Sequence, residues 1–135
     1  IGDNAIDAEL VIMRQMHATL SEMHPSVMLD LQKYYNQDIE ELIAHRDEAI
    51  LHGVERNVVR GIREVVYRDD IDPKTIAQLM VALIGGIQSI ASASEIARPF
   101  HQLFLETFSY HIRGIASPKG LAYLSVQIAE EKIKA

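Results

Sequence analysis

The stretch from Gly61 to Gly86, GIREVVYRDDIDPKTIAQLMVALIGG, constrains the fold more than any other part of the chain. It reads as the end of one helix, a tight corner and the start of a second. Asp72 stands where an N-cap belongs, its carboxylate placed to accept from the free amides of the first helical turn. Pro73 takes the first helical position, where its missing N–H costs no hydrogen bond. Ile71 and Ile76 fall on the two sites of a hydrophobic staple. Beyond the corner, Ile76, Leu79, Met80, Leu83, Ile84 and Ile87 recur at helical spacing, a face wide enough for a central, mostly buried helix. Gly61, on the buried side of the preceding helix, costs about 1 kcal/mol relative to Ala, which points to a close helix crossing there.

Similar punctuation divides the rest of the chain. A first helix is expected over roughly 4–23, with Ile6, Leu10, Met13, His17 and Leu20 on one face and Met16 beside them. Pro25 ends it, because the residue before a proline is pushed out of the helical region. A short second helix carries Val27, Met28, Leu31 and Tyr34 or Tyr35. Asn36 then caps a long third helix, roughly 37–67, with Asp38, Glu40 and Glu41 at its positive end. Ile39, Ile43, Ile50, Val54, Val58, Gly61 and Val65 mark its buried face. The central helix extends to about Ser92, and after a polar loop Pro99 leads a helix through Phe100, Phe104, Phe108, His111 and Ile115. Ser117 caps a last helix, with Pro118 at its first position and Ala116 and Leu121 at the staple sites. No segment shows the strict alternation of a half-buried strand. The expectation is therefore all-α: one helical bundle domain of about six helices.

Composition sets outer limits. A chain of 135 residues fits one domain, and 48% hydrophobic residues is ordinary for a globular core. No run of 18 apolar residues occurs, so no membrane partner is expected. With no Cys, disulfides and thiol chemistry are excluded, and a reducing cytoplasm is the expected location. A net charge of −6 argues against direct phosphate binding, since non-specific affinity for nucleic acid comes from Lys and Arg.

Three phrases carry a resemblance. GIREVVYRDDIDP followed by an apolar helix resembles the middle of the C-terminal domain of tetracycline-repressor (TetR) type transcription regulators, where a helix ends in G-I-x-E-G-x-(F/Y)-R-x-D-I-D and the next lines the effector pocket. Val65 replaces the small residue the family has after the Glu. HIRGIASPKGLAYL, from His111 to Leu124, resembles the ending of a subgroup common in Bacteroidetes-type bacteria. MHPSVMLDLQKYY, from Met23 to Tyr35, is similar to that subgroup's N-P-x-hydrophobic-x-x-D-L-x-K-Y-(Y/H) segment. The phrases stand in the right order across most of residues 23–124. The resemblance implies an effector-binding and dimerisation domain whose N-terminal helix-turn-helix is absent from the chain and would alone contact DNA.

Among chemistry-bearing residues, Glu41, His45, Glu48 and His52 form a stripe that could hold a transition metal. It lies nearly opposite Ile43 and Ile50, so it is expected to be a solvated charged face, and no metal is expected. Glu-x-x-His pairs, which di-iron bundles direct inward, do not occur. No Ser sits in a nucleophile elbow and no phosphate loop is present, so neither catalysis nor a cofactor is expected. Gly85 and Gly86, mid-helix, are read as close packing or a kink. His17 and His111 each lie near the centre of an apolar face, either as core residues satisfied by a neighbour or as pocket groups that orient a ligand. Asp47 falls between Ile43 and Ile50 and needs a partner, with His17, His111 and Arg46 as candidates.

Converging apolar faces give a candidate effector cavity lined by Met13, Met16, His17, Leu20, Met28, Tyr35, Asp47, Met80, Leu83, Ile87, Phe104 and His111. The last two helices carry more apolar surface than one buried face can use. Leu105, Phe108, Ile112, Ile115, Leu121, Leu124 and Ile128 are therefore expected to pair across a two-fold axis in a homodimer. The alternative function is a helical dimerisation module that takes no ligand.

Overall fold

The computed structural model describes residues 3–22, 36–93 and 100–134. They form five helices: α1 (Ala5–Glu22), α2 (Asn36–Arg63), α3 (Pro73–Ala93), α4 (Phe100–Ile115) and α5 (Pro118–Lys134). The short helix expected around Met28 to Tyr35 lies outside the described residues. Antiparallel α2 and α3 make the most extensive contact, α4 packs against α1 and α3, and α1 also touches α2. No helix among the described residues is long and apolar enough to cross a membrane.

Both proline-led corners form as their residues dictate. Asp72 accepts from the Thr75 amide (3.0 Å) and from the Thr75 hydroxyl (2.7 Å), capping α3. The Ser117 hydroxyl accepts from the Gly120 amide (3.1 Å), capping α5. Asn4 does the same for α1, its side-chain oxygen accepting from the Asp7 amide at 2.9 Å. Ile71 and Ile76 pack against the core as a staple should, whereas Leu121, the expected partner of Ala116, is 42% exposed.

The two corners are joined to each other. Arg68 N–H donates to the Ile115 carbonyl (2.8 Å) and Ser117 N–H to the Val66 carbonyl (3.0 Å), an isolated antiparallel bridge centred on Tyr67 and Ala116. Ser117 also donates its hydroxyl to the Val65 carbonyl at 2.6 Å. Tyr67 is driven inward, 2% exposed, and its ring lies on Gly61, where an added Cβ would meet the ring at 2.0 Å. The close helix crossing expected at Gly61 is not what occupies that place: the ring of Tyr67, from the corner just beyond α2, does. The Tyr67 hydroxyl donates to Asn57 (2.6 Å), and the Asn57 amide donates to the Ala5 carbonyl (2.9 Å). Ala5 N–H donates to Glu64 (2.8 Å), so the first turn of α1 is clamped onto α2. Around this junction lies the core: Ile6 and Leu10 of α1, Val54 and Val58 of α2, Met80 and Ile84 of α3, Phe104, Phe108 and Ile112 of α4, and Leu124 of α5.

Several helix faces differ from the periodicity reading. α2 ends at Arg63 rather than near Tyr67, and Ile43 on its first half is 39% exposed because the core lies against its second half. Leu79 and Leu83 are 54% and 39% exposed, so α3 buries one face through Ala77, Met80 and Ile84. An added Cβ would meet nothing within 4 Å at Gly85 or Gly86, which removes close packing as their explanation. Phe108, Ile112, Ile115 and Leu124, expected on the dimer face, are at most 6% exposed within a single chain. They fill the chain's own core, while Leu105, Leu121 and Ile128 keep part of their surface exposed.

The end of α2 contains one strained residue. Val66 N–H bonds the Gly61 carbonyl (3.0 Å) and Val65 N–H the Ile62 carbonyl (3.1 Å), the paired bonds of a Schellman cap. That cap places its penultimate residue in the left-handed region, and Val65 has φ 65° there. A left-handed conformation costs a residue with a Cβ roughly 1–2 kcal/mol, and β-branching adds crowding. Val65 is 60% exposed, so it recovers little by burial. Val65→Gly is therefore expected to raise stability by about 1 kcal/mol, read as a higher urea midpoint at unchanged slope. Gly120→Ala should do the opposite, because its Cβ would lie 2.0 Å from the Val66 carbonyl oxygen. A loss of about 1–3 kcal/mol is expected from such overpacking, and equal midpoints for the two variants would contradict this account.

Candidate functional site

A cleft of about 420 Å³ opens between α1, α2, α3 and α4, and each wall is one helical face. α1 contributes Glu9, Ile12 and Met16, and α2 contributes Arg46, Ala49, Ile50, Gly53 and Val54. Met80 and Ile84 of α3 and Phe104 and Phe108 of α4 close the apolar side. The space exists because α2 presents Ala49 and Gly53 where larger side chains would fill it. A Cβ on Gly53 would meet no atom within 4 Å. The volume falls in the range of small-molecule pockets, on the order of 300–1,000 Å³. Phe104 and Phe108 pack with ring centroids 4.7 Å apart.

Among the described residues, Glu9 and Arg46 are the two ionisable members of this lining. The Glu9 side chain is 4% exposed, and among the described residues no hydrogen bond or ion pair reaches its carboxyl. Burial raises its pKa to about 7, so a carboxyl that water would keep ionised holds its proton near neutrality. Arg46 stands toward solvent and is engaged by its neighbour, with Nε at 3.3 Å and Nη2 at 3.1 Å from the same Asp47 oxygen.

Of the residues read from the sequence as pocket-lining, Met16, Met80 and Phe104 come together here. Met13 and Ile87 pack half-buried beside the core, and Leu83 points outward. Asp47 takes Arg46, one of its three candidate partners, and no trio with the histidines forms. His17 meets His101 edge to face at 5.6 Å, away from the cleft lining. His111 is buried behind Phe108, its ring centroid 6.5 Å from that phenyl, and its Nε2 has no partner among the described residues. Burial lowers its pKa to about 4. Met28 and Tyr35 lie outside the described residues, as does the side chain of Leu20. The Glu41, His45, Glu48 and His52 stripe is exposed along its length, and no metal-holding group of His, Asp and Glu occurs among the described residues.

Glu9, Arg46, Ala49 and Gly53 were not anticipated. For Glu9 a signal was present. At 100° per residue it falls between Met13 and Met16 on α1, a carboxyl inside an apolar stripe. Ala49 and Gly53 carry no such signal, because small residues on a helix read as neutral until the opposite wall is known. Comparison with protein-family models, with curated proteins and with solved structures returned no match.

Glu9 and His111 have opposite linkage to stability. The folded Glu9 keeps its proton to about pH 7 while the unfolded one loses it near 4.5, so stability falls as pH rises between those values. The folded His111 stays neutral down to about pH 4 while the unfolded one protonates near 6.5, so stability falls as pH drops between those values. Each effect is on the order of 3 kcal/mol at full extent, and the slopes oppose. Chemical denaturation at steps from pH 4.5 to 6.5 should give a near plateau. Glu9→Gln should turn it into a rise with pH, whereas unchanged pH dependence in that variant would show Glu9 ionising normally.

Proposed function

We propose that this chain is the ligand-sensing and dimerisation domain of a TetR-like transcription regulator, taking a small apolar or amphipathic effector in the cleft between α1, α2, α3 and α4. The cleft itself carries the reading: four helical faces leave a pocket of ligand size, mostly apolar, with one buried polar group. The ordered phrases around the α2–α3 corner and the α4–α5 corner support it further, since both form the caps and junction described above. Through Glu9, Ile12 and Met16 an effector bears on α1, the helix that follows the DNA-binding segment in regulators of this kind. A ligand that favours one arrangement of α1 over another shifts operator affinity by that difference and by nothing else.

Gly53→Leu tests the pocket. The new side chain enters open space and improves helix propensity, so the fold should be kept or strengthened. Binding of a neutral apolar fluorophore such as N-phenyl-1-naphthylamine should weaken about tenfold or more, a loss of roughly 1.4 kcal/mol. Undiminished binding would place the fluorophore elsewhere.

The homodimer has a distinct surface. Leu121, Ala122, Val126 and Ala129 are all exposed on α5, with Leu121 42% and Val126 55% accessible. An apolar stripe of this kind on a terminal helix suits pairing with its symmetry mate. Because both large residues are exposed within one chain, Leu121→Lys with Val126→Glu should convert dimer to monomer in light scattering without loss of helicity. A wild-type monomer at tens of micromolar would defeat the dimer, as would an unaffected double variant.

A further inference from the structure

We propose that the cleft is selective for an amphiphilic amine, with the apolar body against Met80 and Phe104 and the ammonium hydrogen-bonded to the Glu9 carboxylate. This rests on the cleft being a ligand site and goes on to name the ligand's chemistry.

Glu9 is the observation that carries it. A carboxyl 4% exposed, lining an apolar cavity and without a partner among the described residues, has one direction in which a partner can arrive. Carboxylates taken out of water are expensive unless paired and hydrogen-bonded. Structural carboxylates satisfy this with a neighbouring Lys, Arg or backbone amide, as the part-buried Glu64 does in this chain. Glu9 instead waits as the neutral acid. An ammonium group supplies both the opposite charge and the donors, and the bond it makes is of the strong, charge-assisted class. A ligand carboxylate is disfavoured at the same place above neutrality, because it would meet the ionised Glu9 and put two negative charges in one apolar cavity. Arg46 offers such a ligand less than its charge implies, since it is half-buried at the solvent side and already engaged on Asp47. The chain's net charge of −6 also draws cations toward it.

The surroundings of Glu9 leave the ligand as the deciding charge. On α2, Arg46 lines the cleft, while Arg60 and Glu64 flank Tyr67, whose hydroxyl feels the charge of Glu9. Among the described residues, α3 and α4 present apolar groups at the cleft, Met80 and Ile84, then Phe104 and Phe108. The proton balance follows. The amine enters as the ammonium ion, Glu9 gives its carboxyl proton to solvent, and the ion pair forms in its place. Binding below neutrality therefore releases close to one proton per ligand.

Isothermal titration calorimetry of the whole chain with 4-phenylbutylamine, 4-phenylbutan-1-ol and 4-phenylbutanoate provides the test. The amine should bind at least about tenfold tighter than the alcohol at pH 8, and the carboxylate weakest. At pH 6, two buffers of different ionisation enthalpy should reveal close to one proton released with the amine and none with the alcohol. Glu9→Gln should abolish the preference and the proton release, so that amine and alcohol bind alike. If that variant does not fold, proton release by the natural chain decides alone. Equal affinity for amine and alcohol, tightest binding of the carboxylate, or a preference that survives Glu9→Gln would each overturn the proposal and leave the cleft standing. Failure of all three probes to bind would remove the cleft reading as well.

Discussion

Two helix corners that exchange backbone hydrogen bonds hold this bundle together. The α2–α3 corner and the α4–α5 corner lie 49 residues apart in sequence, counted from Tyr67 to Ala116, yet each supplies a donor and an acceptor to the other. Extended backbone at a helix corner has polar groups that must be paired once buried. Here each corner satisfies the other, and neither could be buried alone. Tyr67 sits at the centre and turns the pairing into a three-dimensional lock. Its ring needs the missing side chain of Gly61, and its hydroxyl reaches α1 through Asn57. Gly120 lets α5 approach the backbone at Val66 in the same corner.

The cleft follows from where this lock is. Packing is tight around the junction, where Ile6, Val58, Tyr67 and Ile112 have almost no exposed surface. Glu9 lies one turn along α1 from the Ala5 clamp, and from there the helix walls part across Ala49 and Gly53. Protein interiors tolerate little empty space, because every unfilled gap forfeits contact energy. A cavity bounded by small residues on one wall and by phenyl rings on another is thus a feature that stability alone would have filled. Glu9 adds to the same argument, since a buried carboxyl without a partner among the described residues lowers stability, and Leu or Met would pack there better.

The titrating pair shows how one core can hold two polar groups without large pH sensitivity. Both are uncharged in the folded chain near pH 6, one as an acid and one as a base, for the single reason of desolvation. Their distinction lies in access. His111 is buried behind Phe108, its Nε2 without a partner among the described residues, while Glu9 faces a space that a molecule can enter.

Local chemistry was legible in the sequence wherever it depended on neighbours along the chain. The Asp72–Pro73 and Ser117–Pro118 caps, the helix over Phe100 to Ile115 and the exposure of the Glu41 to His52 stripe required only hydrogen-bonding capacity, proline geometry and a period of 3.6 residues. Gly61 pointed to a close helix crossing, and the structure puts the Tyr67 ring there instead. Burial beyond the first face was decided by tertiary structure alone. Periodicity tells that Leu83 and Ile84 are apolar neighbours, and only the packing of the other helices determines that Ile84 is covered and Leu83 is not. The same holds for Phe108, read toward a partner chain and found in the cleft wall, and for Ala49 and Gly53, whose role is the volume they leave to others. A helical pattern specifies which residues share a side, while the space facing that side belongs to residues distant in sequence.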